Sequence, residues 1–250
     1  MKKIILLFIS ISFIFLFASC KAVDNPTNAS QSKVAKNVTN IPSVTKEAEA
    51  VTKISSDNQS AENLADIPAN IKVVYAGATS ERRKYEDLKQ VEDLSTIIIE
   101  AVPKKTLGQK VETSYDAELK QDLPSAGYTK WEVEVTKVYK GDVKVDDKLV
   151  FLHDYYRWTY PDGTEELITL SSMKPPIKDK KYLMFLQYDE TNKGYCAIGD
   201  YEGMFAIPTD EKKTKMKNKT LKQSDLDVYN YEPLQYIVPI YGKVVSKYFD

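Results

Sequence analysis

The stretch that decides the fold is Tyr128-Thr-Lys-Trp-Glu-Val-Glu-Val-Thr-Lys-Val138, in which apolar and polar residues alternate. Trp131, Val133 and Val135 would share one face of a β-strand, because successive side chains of a strand point to opposite faces. The tripeptide Lys140-Gly-Asp142 then predicts a turn. One face of this strand is therefore expected to pack on a core while the other faces water.

The same enrichment in β-branched and aromatic residues recurs on both sides of this strand. Short runs of this kind, separated by turns that contain glycine or proline, are typical of β-strands. The runs are Thr96–Val102, Leu149–Leu152, Tyr155–Tyr160, Glu166–Leu170, Tyr182–Tyr188, Tyr195–Ile198 and Gly203–Pro208. So many short strands predict a mainly β domain, built as an antiparallel sandwich or barrel.

Two helices are predicted beside the strands. Ser80 can cap a helix that runs to about Asp93. Near the C-terminus, apolar residues recur at spacings of three and four, which predicts one apolar helix face. They are Leu234, Ile237, Val238, Tyr241, Val244, Val245 and Tyr248. Pro239 and Gly242 lie within this stripe, so we expect a short and distorted terminal helix.

The first 20 residues have the pattern of a bacterial lipoprotein signal peptide. Two lysines precede the 14-residue, mostly apolar run Ile4–Phe17, which is shorter than the roughly 20 residues that a membrane-spanning helix needs. Ala18 and Ser19 then precede Cys20. This predicts lipidation of Cys20 and an extracytoplasmic protein anchored to the cell membrane. The alternative is an ordinary secretory signal cut near Ala18 or Ser19.

Residues 21–70 contain no aromatic residue and no glycine, whereas all 17 tyrosines and both tryptophans lie in residues 71–250. A segment with so little apolar area to bury is expected to be a disordered tether. As a flexible coil it would span roughly 40 Å. Residues 71–250 are long enough to form one domain with a sizeable core.

The order of predicted elements resembles that of a group of bacterial surface proteins. It consists of a helix, the strand Asp93–Val102, a long loop, the strand and turn Trp131–Asp142, and the segment Ile177–Leu186. These proteins are similar to OB-fold barrels related to netrin and metalloproteinase-inhibitor modules. The similarity covers about residues 85–207, and its most specific piece is Val135–Asp142. The resemblance implies an antiparallel OB-like barrel with one N-terminal helix and a short C-terminal helix.

This resemblance implies little about function, because one fold hosts many functions. The metalloproteinase inhibitors of this fold use a free N-terminal cysteine to chelate the zinc ion of the protease. Here the comparable cysteine is Cys20, which would be acylated and separated from the barrel by about 50 residues. That mechanism is therefore not expected in this chain.

The chain offers few groups for catalysis or for binding a metal ion. His153 is the single histidine, and Cys196 has no partner once Cys20 is lipidated. We expect both to be structural, and Cys/His zinc sites are excluded by count. Asp225 and Asp227 could begin a calcium loop, but a polar loop is the simpler interpretation. No catalytic residue, metal ion or cofactor is predicted.

Two surface features could bind a ligand. The first is the run Tyr155–Tyr160, in which Tyr156, Trp158 and Tyr160 would share one face and Arg157 would lie on the other. One face must pack on the core, while the other could offer a stacking platform for a sugar or peptide. Ordinary packing of both sides of the hairpin is the alternative interpretation.

The second surface feature is a lysine-rich segment with six lysines in eleven residues. The six are Lys212, Lys213, Lys215, Lys217, Lys219 and Lys222. They could contact teichoic-type polyanions or lipid headgroups, although a solvated loop is the default interpretation. A nucleic-acid partner is not expected, because the compartment and the formal net charge of −1 both oppose it.

Taken together, these features predict a membrane-anchored surface lipoprotein without enzymatic activity. It would bind an extracellular protein, a peptide or an envelope polymer. Two alternatives remain open: an envelope hydrolase that uses carboxylates, and a purely structural component of the envelope.

Overall fold

The structure is a computed structural model that describes residues 54–55, 67–68, 70–76, 85, 87–229 and 234–249. All of them belong to one compact unit, Glu49–Asp250. Cys20, the signal sequence and most of the predicted tether lie outside the described residues, as does Ser80. None of the helices in this part of the chain is long and apolar enough to cross a membrane.

Ten strands and three α-helices make up the described part of the chain. In chain order they are β1 (Ile54–Ser55), β2 (Lys72–Tyr75), α1 (Leu88–Leu94), β3 (Ile97–Asp116), β4 (Gln121–Lys140), β5 (Lys148–His153), β6 (Tyr155–Thr159), β7 (Glu165–Thr169), β8 (Tyr182–Asp189), β9 (Gly194–Ala197), β10 (Met204–Ala206), α2 (Asp210–Lys217) and α3 (Leu234–Tyr248). The protein is therefore mainly β, as its sequence predicts.

Seven strands form the larger sheet, in the order β1-β3-β4-β5-β9-β8-β10. Strand β3 pairs with β8 as well as with β4. The pairings β3–β4, β4–β5, β5–β9, β9–β8 and β8–β3 therefore form a closed cycle. All pairs in this cycle are antiparallel except β5 and β9, which run parallel with Phe151 opposite Tyr195.

A second sheet has three strands in the order β2-β7-β6, and in it β2 runs parallel to β7. The prediction of antiparallel pairing is thus wrong for two pairs of strands. Alternation along a sequence reports which side chains are buried, and it carries no information about the direction of the neighbouring strand. Strands β5 and β9 are separated by three other strands, so the chain is long enough to return in the same direction.

The segment expected to be a long loop after Val102 is part of a continuous hairpin. Strands β3 and β4 each have 20 residues and pair along their whole length. The pairing shifts register between Pro103 and Lys105 and again between Thr106 and Gly108. These irregularities accommodate a proline and a glycine within strand pairing, and for this reason the residue types that suggested a loop do not end the strand.

The apolar residues form two main clusters, one on each side of strand β8. Inside the cycle of strands, Trp131, Phe151 and Met184 are fully buried and pack with their neighbours. On the opposite side, Phe185 and Phe205 pack against the helices α1 and α3. The alternation of side chains along β8 therefore supplies both clusters.

The C-terminal helix is longer and more regular than its sequence predicts. Helix α3 is a continuous 15-residue helix that contains Pro239. The predicted apolar stripe is confirmed, since its members Ile237, Tyr241, Val244 and Val245 are buried. Burial of this face outweighs the one backbone hydrogen bond that proline removes.

The N-terminal helix is shorter than predicted, and α1 begins only at Leu88. The carboxylate of Asp87 caps it by accepting a hydrogen bond of 3.2 Å from the backbone N–H of Lys89. Tyr85 lies before the helix and donates its backbone N–H to Glu202 at 2.7 Å. That long-range contact fixes Tyr85 in a non-helical position.

Candidate functional site

The predicted aromatic platform is mostly a packing surface. Tyr156 is buried, and its ring packs directly on Gly127 of strand β4. The contact is so close that a Cβ atom at Gly127 would come within 2.6 Å of the ring. Trp158 is half-buried and packs on the same small cluster. The ring of Tyr160 lies edge-on to Trp158, with 6.5 Å between ring centroids. The three rings therefore do not form one exposed stacking face. The prediction of such a face is wrong for Tyr156, which is buried.

The other face of strand β6 is also covered. The Arg157 guanidinium is buried and donates to Glu165 Oε2 at 2.6 Å. The side-chain amide of Gln109 bonds both backbone groups of Arg157, each at 2.9 Å. Tyr155 accepts a hydrogen bond of 2.9 Å from the indole N–H of Trp131 in the core. Strand β6 is therefore joined to β3 through Gln109 and to β4 through Trp131, and among its aromatic residues only Trp158 keeps partial exposure.

The lysine-rich segment forms a helix and a turn rather than a loop. Thr209 caps helix α2 by accepting from the backbone N–H of Lys212 at 3.3 Å. Lys213 donates to the backbone carbonyl of Phe249. Lys215 pairs with both Glu211 at 3.0 Å and Asp225 at 2.8 Å. These contacts attach the segment to the body of the domain.

Three of the predicted lysines remain available at the surface. Lys217, Lys219 and Lys222 are exposed. Each has no ion-pair partner among the described residues. Solvated lysines of this kind can contact a large anion at little desolvation cost. The exposed lysines of the predicted basic segment therefore lie at the end of α2 and just after it.

Two further lysines lie beside this segment, although nothing in the sequence connects them to it. Lys180 donates to both carboxylate oxygens of Asp227, at 2.9 and 3.0 Å. The Lys174 amine lies 3.4 Å from the carbonyl oxygen of Leu226. The sequence shows four lysines from Lys174 to Lys181. Only the tertiary contacts show that two of them lie beside the lysine-rich segment.

We call the eight residues Lys174, Lys180, Lys212, Lys213, Lys215, Lys217, Lys219 and Lys222 the lysine cluster. Its own segments contribute five opposing carboxylates, Asp179, Asp210, Glu211, Asp225 and Asp227. The cluster therefore carries a surplus of positive charge within a chain whose formal net charge is −1. Such a local surplus attracts anions even when the whole molecule is nearly neutral.

A small cavity lies beside Lys212, between α2, α3 and the segment that contains Asp227. Its volume is about 10 Å³. Lys212, Asp227 and Tyr241 are among the residues that line it. The Lys212 amine lies 5.7 Å from the centroid of the Tyr241 ring. Burial lowers the pKa of Lys212, and the charges of Lys174 and Lys180 lower it further, while those of Asp227 and Asp225 oppose this effect.

A larger surface groove of about 630 Å³ lies between helices α1 and α3. Its charged residues pair with one another: Lys89 with Asp93 at 2.5 Å, Lys247 with Glu92 at 2.7 Å, and Lys243 with Asp87 at 3.7 Å. The groove therefore has mixed and mutually compensated charge, which selects no particular ligand.

The groups that could support catalysis are engaged in the interior. Asp200 accepts from the backbone N–H and the hydroxyl of Ser172, at 3.0 and 2.5 Å. Glu202 accepts three backbone N–H groups, and its burial raises its pKa. His153 is buried, with the rings of Phe151 and Tyr155 packed against it edge-on. None of these three side chains lines either cavity.

The described residues contain no group of three histidines, cysteines or acids that could hold a metal ion. Asp225 and Asp227, the first residues of the calcium-loop alternative, instead bind Lys215 and Lys180. Asn230 and Glu232, which would continue that loop, lie outside the described residues. The two aspartates thus form ion pairs with lysines of the cluster rather than a metal site.

No family model matches this chain, and neither a curated protein nor a solved structure is significantly similar to it. What the protein does must therefore be argued from its own residues.

Proposed function

We propose that this protein is a surface lipoprotein, anchored through Cys20, that binds a phosphate-bearing envelope polymer without catalysing a reaction. The lysine cluster is the observation that carries the proposal. It combines exposed lysines at the end of α2 with Lys174 and Lys180, which reach it through contacts to residues 226–227. The competing aromatic site has lost its support, because Tyr156 is buried against Gly127.

We also infer that the cycle of five strands belongs to the OB class of barrels. The spatial order β8-β3-β4-β5 supports this inference, because a Greek key places the fourth strand beside the first in the order 4-1-2-3. Strand β9 then completes a ring of five, and the OB fold is a five-stranded Greek-key barrel. This inference concerns the fold alone and adds nothing about the ligand.

A polymer suits the proposed anchoring better than a lipid headgroup. Strand β1 begins at Ile54, so the part of the predicted tether that precedes it has 33 residues, 21–53, and as a flexible coil would span roughly 30 Å between the membrane and the domain. The field of charged headgroups falls off within about 8 Å at physiological salt. A polymer that extends through the envelope would reach the lysine cluster at that distance.

The carboxylate-dependent hydrolase and the purely structural component remain the rival proposals. A hydrolase would need two acids facing a cleft. Asp200 and Glu202 are the acids buried most completely, at 2% and 0% exposure, and both hold internal hydrogen bonds. No observation on the described residues favours the hydrolase. A structural role would leave the lysine cluster without a saturable ligand.

The experiment is to titrate the full-length protein, held in non-ionic detergent micelles, with a synthetic glycerol phosphate oligomer by calorimetry. The triple variant Lys217→Gln, Lys219→Gln, Lys222→Gln should bind the oligomer about tenfold more weakly, because three exposed charge contacts each contribute a fraction of a kcal/mol. The affinity of the variant should also depend less steeply on NaCl concentration.

The matched control is the triple variant Lys105→Gln, Lys148→Gln, Lys193→Gln. These lysines are similarly exposed, at 61%, 62% and 70% of their side-chain surface, but lie outside the lysine cluster. It should bind the oligomer as the wild type does. An equal loss in both triple variants, or no saturable binding by the wild type, would contradict the proposal. Tighter binding to anionic phosphatidylglycerol vesicles than to the oligomer would favour lipid headgroups instead.

A further inference from the structure

Two groups that line the small cavity lack a hydrogen-bond or ion-pair partner among the described residues. The Tyr241 side chain is only 3% exposed, and its hydroxyl has no hydrogen-bond partner among the described residues. A buried hydroxyl without a partner costs free energy. Buried polar groups in native proteins are nearly always satisfied, so an exception of this kind points to a missing partner.

Lys212 is the second of these groups. Its side chain is partly buried and has no ion-pair partner within the described parts of the chain. Asp227 also lines the cavity, but Lys180 occupies both oxygens of that carboxylate. Positive charge near the cavity therefore exceeds negative charge. A single anionic oxygen could accept from Tyr241 and be stabilised by Lys212 at the same time.

We propose that this cavity is a subsite for one oxygen of a phosphate group, with Tyr241 donating its hydroxyl and Lys212 supplying positive charge. The inference rests on the proposed function, since it names the part of the lysine cluster that would recognise the phosphate. The remaining phosphate oxygens stay outside the cavity, where Lys174 provides further positive charge.

The size of the cavity limits what can enter. A volume of about 10 Å³ is the room of one water-sized group. A sugar ring or an aromatic ring is therefore excluded, whereas the protruding oxygen of a tetrahedral phosphate fits. A phosphate also keeps other charged oxygens for the neighbouring lysines, which a carboxylate, having only two oxygens, does less well.

The elements hold the two groups in place without a ligand. The Tyr241 ring packs on Phe205, with 5.7 Å between ring centroids. The cap of Thr209 on helix α2 fixes the backbone of Lys212 in the first turn. Because both groups are positioned beforehand, little ordering is needed when a phosphate binds.

The test is to measure, by calorimetry, the binding of inorganic phosphate, the glycerol phosphate oligomer and acetate to the full-length protein in detergent micelles. Tyr241→Phe should lower the affinity for both phosphate ligands about tenfold, because a hydrogen bond to a charged group is lost. Its melting temperature should be unchanged or higher, because the variant no longer buries an unpaired hydroxyl. Tyr236→Phe is the matched control on the same helix, since Tyr236 is exposed, and it should change neither measurement.

Lys212→Met is the second variant, and it should also lose phosphate affinity while its fold remains stable. Unchanged phosphate binding in either Tyr241→Phe or Lys212→Met would overturn the inference, since the cavity would then hold only a water molecule. Acetate that binds as tightly as phosphate would overturn the assignment to phosphate. If the oligomer binds Tyr241→Phe normally but not the triple lysine variant, the proposed function survives and this inference fails. If the wild type binds neither ligand, both fail.

Discussion

At the scale of single residues, the hydrogen bond between Trp131 and Tyr155 joins the two sheets. The indole N–H of Trp131 donates to the Tyr155 hydroxyl at 2.9 Å, and both side chains are fully buried. The sequence predicted that Trp131 faces inward, because it alternates with polar residues. The burial of Tyr155 could not be predicted, because strand β6 carries aromatic residues on both faces.

Tyr155→Phe should lower the free energy of unfolding by about 1–3 kcal/mol, because the buried indole N–H of Trp131 loses its acceptor. Urea denaturation followed by circular dichroism would measure this change. The control is Tyr115→Phe, since Tyr115 is 66% exposed, and it should shift stability by less than about 0.5 kcal/mol. Similar stability of the two variants would mean that the Trp131–Tyr155 bond contributes nothing.

At the scale of elements, two glycines show how the surroundings decide what a residue does. Gly127 lies in strand β4, where an added Cβ would meet the Tyr156 ring at 2.6 Å and the Lys110 carbonyl oxygen at 2.7 Å. Gly242 lies in helix α3, where the nearest atom to an added Cβ is the Met216 methyl carbon at 3.9 Å. The sequence predicted a distortion at Gly242 and made no prediction for Gly127.

The same substitution should therefore have opposite effects at these two positions. Gly242→Ala should stabilise the protein by about 0.5–1 kcal/mol, because alanine is the better helix former and its methyl group has room. Gly127→Ala should destabilise it by about 1–3 kcal/mol, because the Tyr156 ring must move. Thermal and urea unfolding of both variants would check the signs. A stabilising effect at Gly127 would show that the packing of Tyr156 is loose.

At the scale of the whole molecule, strand β8 occupies the centre. Met184 lies opposite Ile99 of β3 on one side and Met204 of β10 on the other. The two large clusters pack on its two faces. In contrast, the far end of the β3–β4 hairpin carries exposed apolar residues, including Tyr115 and Leu119. Stability should therefore decrease from β8 towards the end of the hairpin.

Amide hydrogen exchange should reveal this gradient. The backbone N–H of Phe185, bonded to the Gly203 carbonyl oxygen at 2.9 Å, should open only with global unfolding. The amides of Tyr115 and Leu123 should exchange about a hundredfold faster or more, because the end of the hairpin can open locally. Mass spectrometry of peptides after exchange would measure both regions. Equal protection would indicate that the hairpin and the core unfold as one unit.

The sequence by itself determined where most strands lie and which residues of them are buried. Trp131, Val133 and Val135 are fully buried, as their alternation predicted. Alternation is informative because successive side chains of a strand point to opposite faces, whatever the rest of the fold. The apolar stripe of α3 followed from spacing in the same way. The sequence also predicted the lysine-rich segment and the lipidated Cys20, and the latter stays a prediction.

Only the tertiary structure decided the direction of strand pairing, the length of the β3–β4 hairpin and the neighbours of the lysine-rich segment. Lys174 and Lys180 meet that segment through Asp227 and Leu226, which are about 50 residues away along the chain. The burial of Tyr156 depends on Gly127 of another strand. Such contacts join residues far apart in sequence, and no local pattern of polarity encodes which distant segment will pack there.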